Sequence, residues 1–131
     1  MTVRGIRGAI TAPDSTPKDI VSATEKLLVA MVGANRVEPA DIAAVFFTTT
    51  ADLHHEFPAA AARQLGWTKV PLLCGREVDV PGRLRACIRV LILLNTEASQ
   101  ADIKHVYLDG ATVLRPDLSG EDDPQTAGTT F

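Results

Sequence analysis

The apolar positions of the N-terminal third predict a strand followed by a helix. VRGIRGAI, residues 3–10, alternates well enough for a strand and places Arg7 beside small residues on one face. In the next segment, STPKDIVSATEKLLVAMVGAN, Thr16 can cap a helix and Pro17 suits the first helical position. The core-facing stripe of this amphipathic helix is expected to contain Ile20, Thr24, Leu27, Leu28 and Met31.

Further apolar runs predict one more helix and several strands. DIAAVFFTTT is typical of a buried strand, and FPAAAARQLG predicts a short helix that opens at Pro58 and stops at Gly66. KVPLLCGRE predicts another strand, and ACIRVLILLN predicts a strong one after the loop DVPGRL. In HVYLDGATVLRP, Asp109 and Gly110 lie between two apolar runs, which indicates a tight hairpin.

This order of elements predicts the α/β (α+β) class, with a mixed sheet covered by helices on one face. Strands as apolar as AVFF and VLILL would leave an uncovered second face, which favours burial against other subunits. Residues 1–118 are expected to form one domain. Residues 119–131, SGEDDPQTAGTTF, are polar and predict a flexible C-terminal tail.

Length and charge narrow the class of protein. A chain of 131 residues fits a single domain. No apolar stretch approaches the roughly 18 residues of a membrane span, so we expect no membrane partner. A net charge of −3 gives no general attraction to nucleic acid. The N-terminal segment lacks the pattern of a secretory signal, so we expect a cytoplasmic protein.

Cysteine and histidine residues do not indicate a metal site. Cys74 and Cys87 match neither a disulfide framework nor a zinc site in number or spacing. His54, His55 and Glu56 are adjacent, but neighbours in an extended chain point opposite ways and no HExxH spacing is present. We therefore expect the protein to work without a metal.

Arg89 lies in the middle of the apolar run ACIRVLILLN. A buried guanidinium keeps its charge, and its desolvation costs several kcal/mol unless an anion and hydrogen bonds compensate. Two kinds of anion are possible from the residues alone. One is a protein carboxylate, for which Glu77 is the nearest acid before a turn, and the other is a negatively charged ligand.

Five stretches, taken in order, resemble the monofunctional chorismate mutases of the trimeric, mixed α/β kind. They are RGIRGA (residues 4–9), DLHHEFPAAAARQLGW (52–67), VPLLCGREVDVPG (70–82), CIRV (87–90) and HVYLDGATVLRPDL (105–118). The resemblance implies a trimeric pseudo-barrel with active sites between subunits. It also implies the Claisen rearrangement of chorismate to prephenate in the biosynthesis of phenylalanine and tyrosine, with no cofactor and no metal.

The same resemblance implies a set of site residues. Arg89 would donate to the ether oxygen and to one carboxylate, and Glu77 would accept from the ring hydroxyl. Arg7 and Tyr107 would bind the enolpyruvyl carboxylate. Further substrate contacts are implied for Phe57, Ala59, Arg63, Leu72, Leu73, Cys74, Leu114 and Arg115.

Simpler interpretations of these residues stay open at this point. Arg89 and Glu77 could form a structural ion pair, Tyr107 could fill an interface, and Arg63 could lie on a solvated helix face. Two other functions also remain. One is a trimeric enamine or imine deaminase with interface sites, and the other is a trimeric small-carboxylate-binding protein without catalysis.

Overall fold

A computed structural model describes residues 1–114, which form a mixed sheet with helices on one side. Its strands are β1 (Thr2–Thr11), β2 (Ile42–Thr49), β3 (Leu72–Arg76), β4 (Cys87–Thr96) and β5 (Val106–Tyr107). Its helices are α1 (Pro17–Asn35) and α2 (Ala59–Gln64), with short 3₁₀ helices at Pro39–Asp41, Gln100–Asp102 and Asp109–Leu114. The predicted fold class is confirmed.

The strands lie in the order β3-β2-β4-β1-β5. The long strand β4 runs antiparallel to both of its neighbours, β1 and β2. β3 pairs in parallel with β2, and β5 pairs in parallel with β1. Because β4 is central, any side chain that it carries is flanked by strands on both sides.

Helix α1 forms as its sequence predicts. The Thr16 hydroxyl accepts a hydrogen bond from the backbone N of Asp19 at 3.2 Å, and Pro17 occupies the first turn. Arg36 ends the helix in the left-handed conformation, with φ 52°. All five residues of the predicted stripe are buried, and they pack against the sheet.

One face of the sheet forms the main core with the two helices. Its largest buried side chains on the strands include Ile6, Ile10, Phe47, Ile88 and Ile92. Gly8 also faces α1, where a Cβ atom would lie only 2.4 Å from the sulfur of Met31. Glycine at this position therefore allows the helix to approach the strand closely.

The opposite face of the sheet is only partly covered. At one end, Ala9, Cys87, Tyr107, Ala111 and Leu114 form a small second cluster under the last 3₁₀ helix. Towards the other end, Val3, Phe46 and Leu73 are exposed by 52%, 37% and 61%. This face, which we call the open face, thus presents apolar side chains to solvent in the single chain.

The predicted hairpin at Asp109 and Gly110 is wrong. Only Val106–Tyr107 form a strand there, and Asp109–Leu114 form a 3₁₀ helix. Asp109 has a positive φ of 53°, the N–H of Gly110 donates to the Thr11 hydroxyl at 3.0 Å, and Lys26 pairs with Asp109 at 3.1 Å. These tertiary contacts hold the turn against β1 and α1, so the following residues fold back onto β1 instead of forming a return strand.

Three predictions fall on residues that the structure does not describe. Arg115 and the tail at residues 119–131 both lie outside residues 1–114, as does the domain boundary at residue 118. Within the described residues, no helix has the length and apolar character needed to cross a membrane.

Candidate active site

Arg89 and Tyr107 lie in one row across the open face of the sheet. The strand register places Arg89 beside Thr48 on β2 and beside Ala9 on β1, and Ala9 is in turn beside Tyr107 on β5. Residues in register point to the same face of a sheet. The fold therefore brings the guanidinium and the phenol to one surface, with the small side chain of Ala9 between their strands.

Arg89 forms an ion pair with Glu77. The distance between Arg89 Nε and Glu77 Oε2 is 3.7 Å, and these side chains are only 12% and 14% exposed. Glu77 also accepts a 2.5 Å hydrogen bond from the Thr48 hydroxyl, and its backbone N donates to the carbonyl of Thr49 at 2.8 Å. The carboxylate is thus hydrogen-bonded to β2 and faces a cation on β4. This ion pair supplies part of the charge compensation that a mostly buried arginine requires.

A cavity of about 410 Å³ adjoins this ion pair. It is lined by Arg89, by residues 50–52 and by residues 77–85. This volume lies within the range of about 300–1,000 Å³ that is usual for small-molecule sites. Charged side chains of both signs surround it, since the lining includes Asp52, Asp79, Arg83 and Arg85.

The loop that forms one wall of the cavity is fixed at its C-terminal end by Asp52 and Thr50. The Asp52 carboxylate accepts from the backbone N of Ala86 at 2.9 Å, and the Thr50 hydroxyl accepts from the backbone N of Cys87 at 3.0 Å. Burial raises the pKa of Asp52, but hydrogen bonds from Thr50 and Ala86 and the nearby Arg85 outweigh it and lower the pKa overall. Ala86 has a positive φ of 52°, which these contacts maintain.

Arg7 lies on the same face as Ala9, two residues earlier on β1 and beside Leu91 of β4. It is half-buried, and its backbone N donates to Nδ1 of His105 at 3.0 Å. Arg7 and Tyr107 are not among the described residues that line the cavity beside Glu77. Leu114 lies next to Tyr107, in the small cluster of the open face.

The remaining residues implied by the family resemblance surround a second cavity. Its volume is about 580 Å³, and six of its lining residues are Phe57, Ala59, Arg63, Leu72, Leu73 and Cys74. Arg63 is exposed, and Phe57 is 64% exposed. Burial raises the pKa of the Cys74 thiol, against opposing effects of the Ala59 backbone and Arg63. Within the described residues of one chain, the sequence-predicted residues therefore fall into three groups. Arg89 and Glu77 line the first cavity, these six residues line the second, and Arg7, Tyr107 and Leu114 line neither.

Several residues near the site were not identified from the sequence. Thr48 holds Glu77, Thr50 and Asp52 fix the loop, and His105 contacts the backbone of Arg7. Thr48 could have been found, because the two-residue period of DIAAVFFTTT puts it on the face of Ala44 and Phe46. The other contacts join residues 34 or more positions apart, and no local pattern encodes such pairs.

Comparison with known proteins identifies the family of this chain. Residues 3–118 match the family model described as chorismate mutase type I. This chain belongs to the chorismate mutase type I family. The match spans all the described site residues, and it also includes Arg115, which the structure does not describe.

Relatives in this family are similar over almost their whole length. Chorismate mutase AroH of Thermus thermophilus is 55% identical over 117 residues, which cover 88% of this chain and 96% of the relative. The AroH enzyme of Bacillus subtilis is 45% identical over 120 residues, with coverages of 91% and 94%. A solved chorismate mutase from Clostridium thermocellum superposes with a TM-score of 0.83 at 51% identity, covering 84% of this chain and 98% of that one. These relatives give no support to a deaminase or to a binding protein without catalysis.

Proposed function

We propose that this protein is a chorismate mutase, an isomerase that converts chorismate to prephenate at the cavity beside Arg89 and Glu77. The observation that carries the assignment of the site is the mostly buried ion pair on the rim of a cavity of suitable size. Membership of the chorismate mutase type I family supports the reaction. The product belongs to the biosynthesis of the aromatic amino acids phenylalanine and tyrosine.

The proposed reaction needs positioning and charge more than it needs a reactive group. One C–O ether bond breaks while one C–C bond forms within the same molecule, so nothing is transferred to or from the protein. The ether oxygen gains negative charge as its bond breaks, and the ring fragment becomes positive. A fixed cation near the oxygen and a fixed carboxylate near the ring would both favour the transition state over the substrate.

Arg89 and Glu77 suit these two tasks. Arg89 projects from the central strand of the sheet, and Glu77 is held by Thr48, so neither charge requires a large rearrangement to meet the substrate. In our proposal Arg89 donates to the ether oxygen and to one carboxylate, while Glu77 accepts from the ring hydroxyl. Arg7 and Tyr107, on the same face, bind the enolpyruvyl carboxylate and select the compact conformer in which the reacting ends meet.

A second subunit completes the proposed site. Six of the predicted residues line the second cavity, away from Arg89 and Glu77 at the first, and a neighbouring copy could bring its second cavity against the first. The apolar side chains of Val3, Phe46 and Leu73 on the open face would be buried by such an assembly. We propose a cytoplasmic homotrimer, with a mass of about 42 kDa from three chains of 14.0 kDa.

Mixing the purified protein with chorismate tests the function directly. Loss of chorismate absorbance and appearance of prephenate should be much faster than in buffer alone. A rate equal to that of buffer would refute the proposed reaction. Sedimentation of the same sample tests the trimer separately, and a fully active monomer would refute the shared site while leaving the reaction intact.

A further inference from the structure

The start of β5 is held by side chains as well as by the backbone ladder. β5 pairs with β1 only through Gly8 with Val106 and Ala9 with Tyr107. Just before it, Asn35 at the end of α1 binds both backbone groups of Lys104. Its Oδ1 accepts from Lys104 N at 2.8 Å, and its Nδ2 donates to Lys104 O at 2.8 Å. The Lys104 carbonyl is thereby directed to α1 instead of to β1.

His105 supplies an acceptor to β1 at this point. The backbone N–H of Arg7 donates to Nδ1 of His105 at 3.0 Å. A backbone N–H that is turned away from water needs an acceptor, and here a side chain provides it. The bond requires Nδ1 to carry no proton, so the imidazole must be neutral with its hydrogen on Nε2.

This contact sets the spacing between two proposed substrate-binding residues. Arg7 is two residues before Ala9, and His105 is two residues before Tyr107, which is the register partner of Ala9. This hydrogen bond joins β1 to the residue before β5, at the opposite end of the ladder from the bond that Leu108 N donates to the Ala9 carbonyl at 2.9 Å. Because the ladder pairs only two residues, the bond from Arg7 N adds directly to the placement of the N-terminal end of β5.

We infer that His105 is a positioning residue for substrate binding, which acts through the backbone of Arg7 and the placement of Tyr107. This inference rests on the proposed function, in which Arg7 and Tyr107 bind one carboxylate of chorismate. A carboxylate gripped from two strands is sensitive to their spacing, since a misplacement of about 1 Å can cost a factor of roughly a hundred. Loss of the bond should weaken binding of substrate and transition state together.

Three substitutions at position 105 separate the acceptor from the ring. His105→Asn places Oδ1 at the same number of bonds from Cβ as Nδ1, so it can still accept from Arg7 N. His105→Gln places its oxygen one bond farther, at the level of Nε2, and His105→Leu removes the acceptor altogether. His54→Leu is the matched control, because His54 is an exposed histidine in the loop between β2 and α2.

Steady-state kinetics with chorismate should distinguish these variants. We expect His105→Leu and His105→Gln to raise KM roughly tenfold while kcat changes much less, because uniform binding is lost. His105→Asn should stay within about threefold of the parent, and His54→Leu should match the parent. Equal kinetic constants for the Asn, Gln and Leu variants would overturn the inference, as would lower melting temperatures with unchanged KM. If His105→Leu does not fold, the comparison of KM between His105→Asn and His105→Gln tests the inference.

A double-mutant cycle tests whether His105 acts through Arg7. In the background of Arg7→Ala, His105→Gln should cause little further rise in KM, because the side chain that it positions is already absent. Effects that simply multiply would show that His105 acts elsewhere and would overturn the inference.

Long-range ¹H–¹⁵N spectra of the histidine rings give an independent readout. The inference requires the His105 signal to show an unprotonated Nδ1 at neutral pH, and a protonated Nδ1 would overturn it. Failure of the proposed function looks different, because the parent protein itself would then not convert chorismate. In that case the positioning role falls together with the proposed function. An active parent with unresponsive variants would refute the positioning role alone.

Discussion

Replacing Arg89 with alanine should slow turnover by at least about a hundredfold at saturating chorismate. The structure places this guanidinium on the central strand, 3.7 Å from Glu77, with only 12% of its side chain exposed. Loss of one fixed donor at a developing negative charge typically costs about 3–4 kcal/mol, and each 1.36 kcal/mol is about a factor of ten in rate.

Most of this loss should appear in kcat. The ether oxygen carries more negative charge in the transition state than in chorismate, so the interaction strengthens as the reaction proceeds. If Arg89 only anchored a carboxylate, its removal would instead raise KM and leave kcat nearly unchanged. Arg89→Lys keeps a charge but loses the fork that reaches two oxygens together, so it should recover only part of the rate.

Stability must be separated from chemistry in this experiment. At an effective dielectric constant of about 20, two charges 3.7 Å apart attract by roughly 4 kcal/mol before desolvation is counted. Arg89→Ala removes that attraction and leaves Glu77 mostly buried beside Thr48. The combined variant Arg89→Ala/Glu77→Gln removes the remaining charge and should restore the melting temperature, which tests the stability argument alone because Glu77 is itself a proposed site residue.

The assay follows chorismate loss by absorbance, with sedimentation and thermal unfolding measured on the same samples. Normal kcat for Arg89→Ala in a correctly assembled protein would refute the mechanism. A normal kcat for Arg89→Ala measured well below its melting temperature, with a low kcat only near that temperature, would show that instability, and not the missing cation, caused the loss.

Further predictions concern stability. Gly8→Ala should lower the free energy of unfolding by about 1–3 kcal/mol, because its Cβ would lie 2.4 Å from the sulfur of Met31. Gly33→Ala on α1 should raise the free energy of unfolding by up to about 1 kcal/mol, because its Cβ would meet nothing within 4 Å. Urea unfolding measures both changes. Burial raises the pKa of Cys87 from 9.0 to about 11, so the unfolded state ionises first and stability should fall as pH rises from about 9 towards 11, less steeply in Cys87→Ala. The pKa of Asp52 is lowered in the folded protein, so its contribution to stability is fully present above the ordinary aspartate pKa and is lost as pH falls through the lower folded pKa. Asp52→Asn should therefore show a weaker loss of stability in acid, measured by thermal unfolding.

Local pattern was sufficient for most elements of the fold. The cap at Thr16 and the stripe of α1 are local properties, and the apolar runs of β2 and β4 are long enough to identify strands. The hairpin predicted at Asp109 was wrong, because a sequence typical of a tight turn does not determine which strand the following residues contact. The hydroxyl of Thr11 and the ammonium of Lys26 decide that outcome, and both are more than 80 positions away.

The candidate site was only partly accessible to sequence reasoning. A cation within an apolar strand requires an anion, and Glu77 follows as a candidate from charge alone, as the structure bears out with the ion pair. The role of Thr48 in holding that carboxylate depends on the register of β2 with β3, which Glu77 directly follows and which periodicity does not fix. The family resemblance implies one set of site residues, but it cannot show that a single chain places Glu77 and Arg89 at one cavity and six other members of the set at another.

The position of Arg89 on β4 explains why a costly buried cation can serve a small-molecule site. A guanidinium on a loop could relax towards Glu77 when substrate arrives, and part of the electrostatic gain would be lost as reorganisation. On β4, neighbouring strands fix the backbone on both sides, and Thr48 restrains Glu77 independently of Arg89. Both charges are thus fixed in position before substrate binds. The packing of the sheet on α1 and α2 offsets the desolvation free energy of the two charges. The proposed carboxylate-binding part of the site is built differently, since Tyr107 lies on a two-residue strand held partly by side chains. The proposed catalytic cation therefore lies on the central strand, whereas Tyr107 lies on a short edge strand where single contacts such as that of His105 can matter.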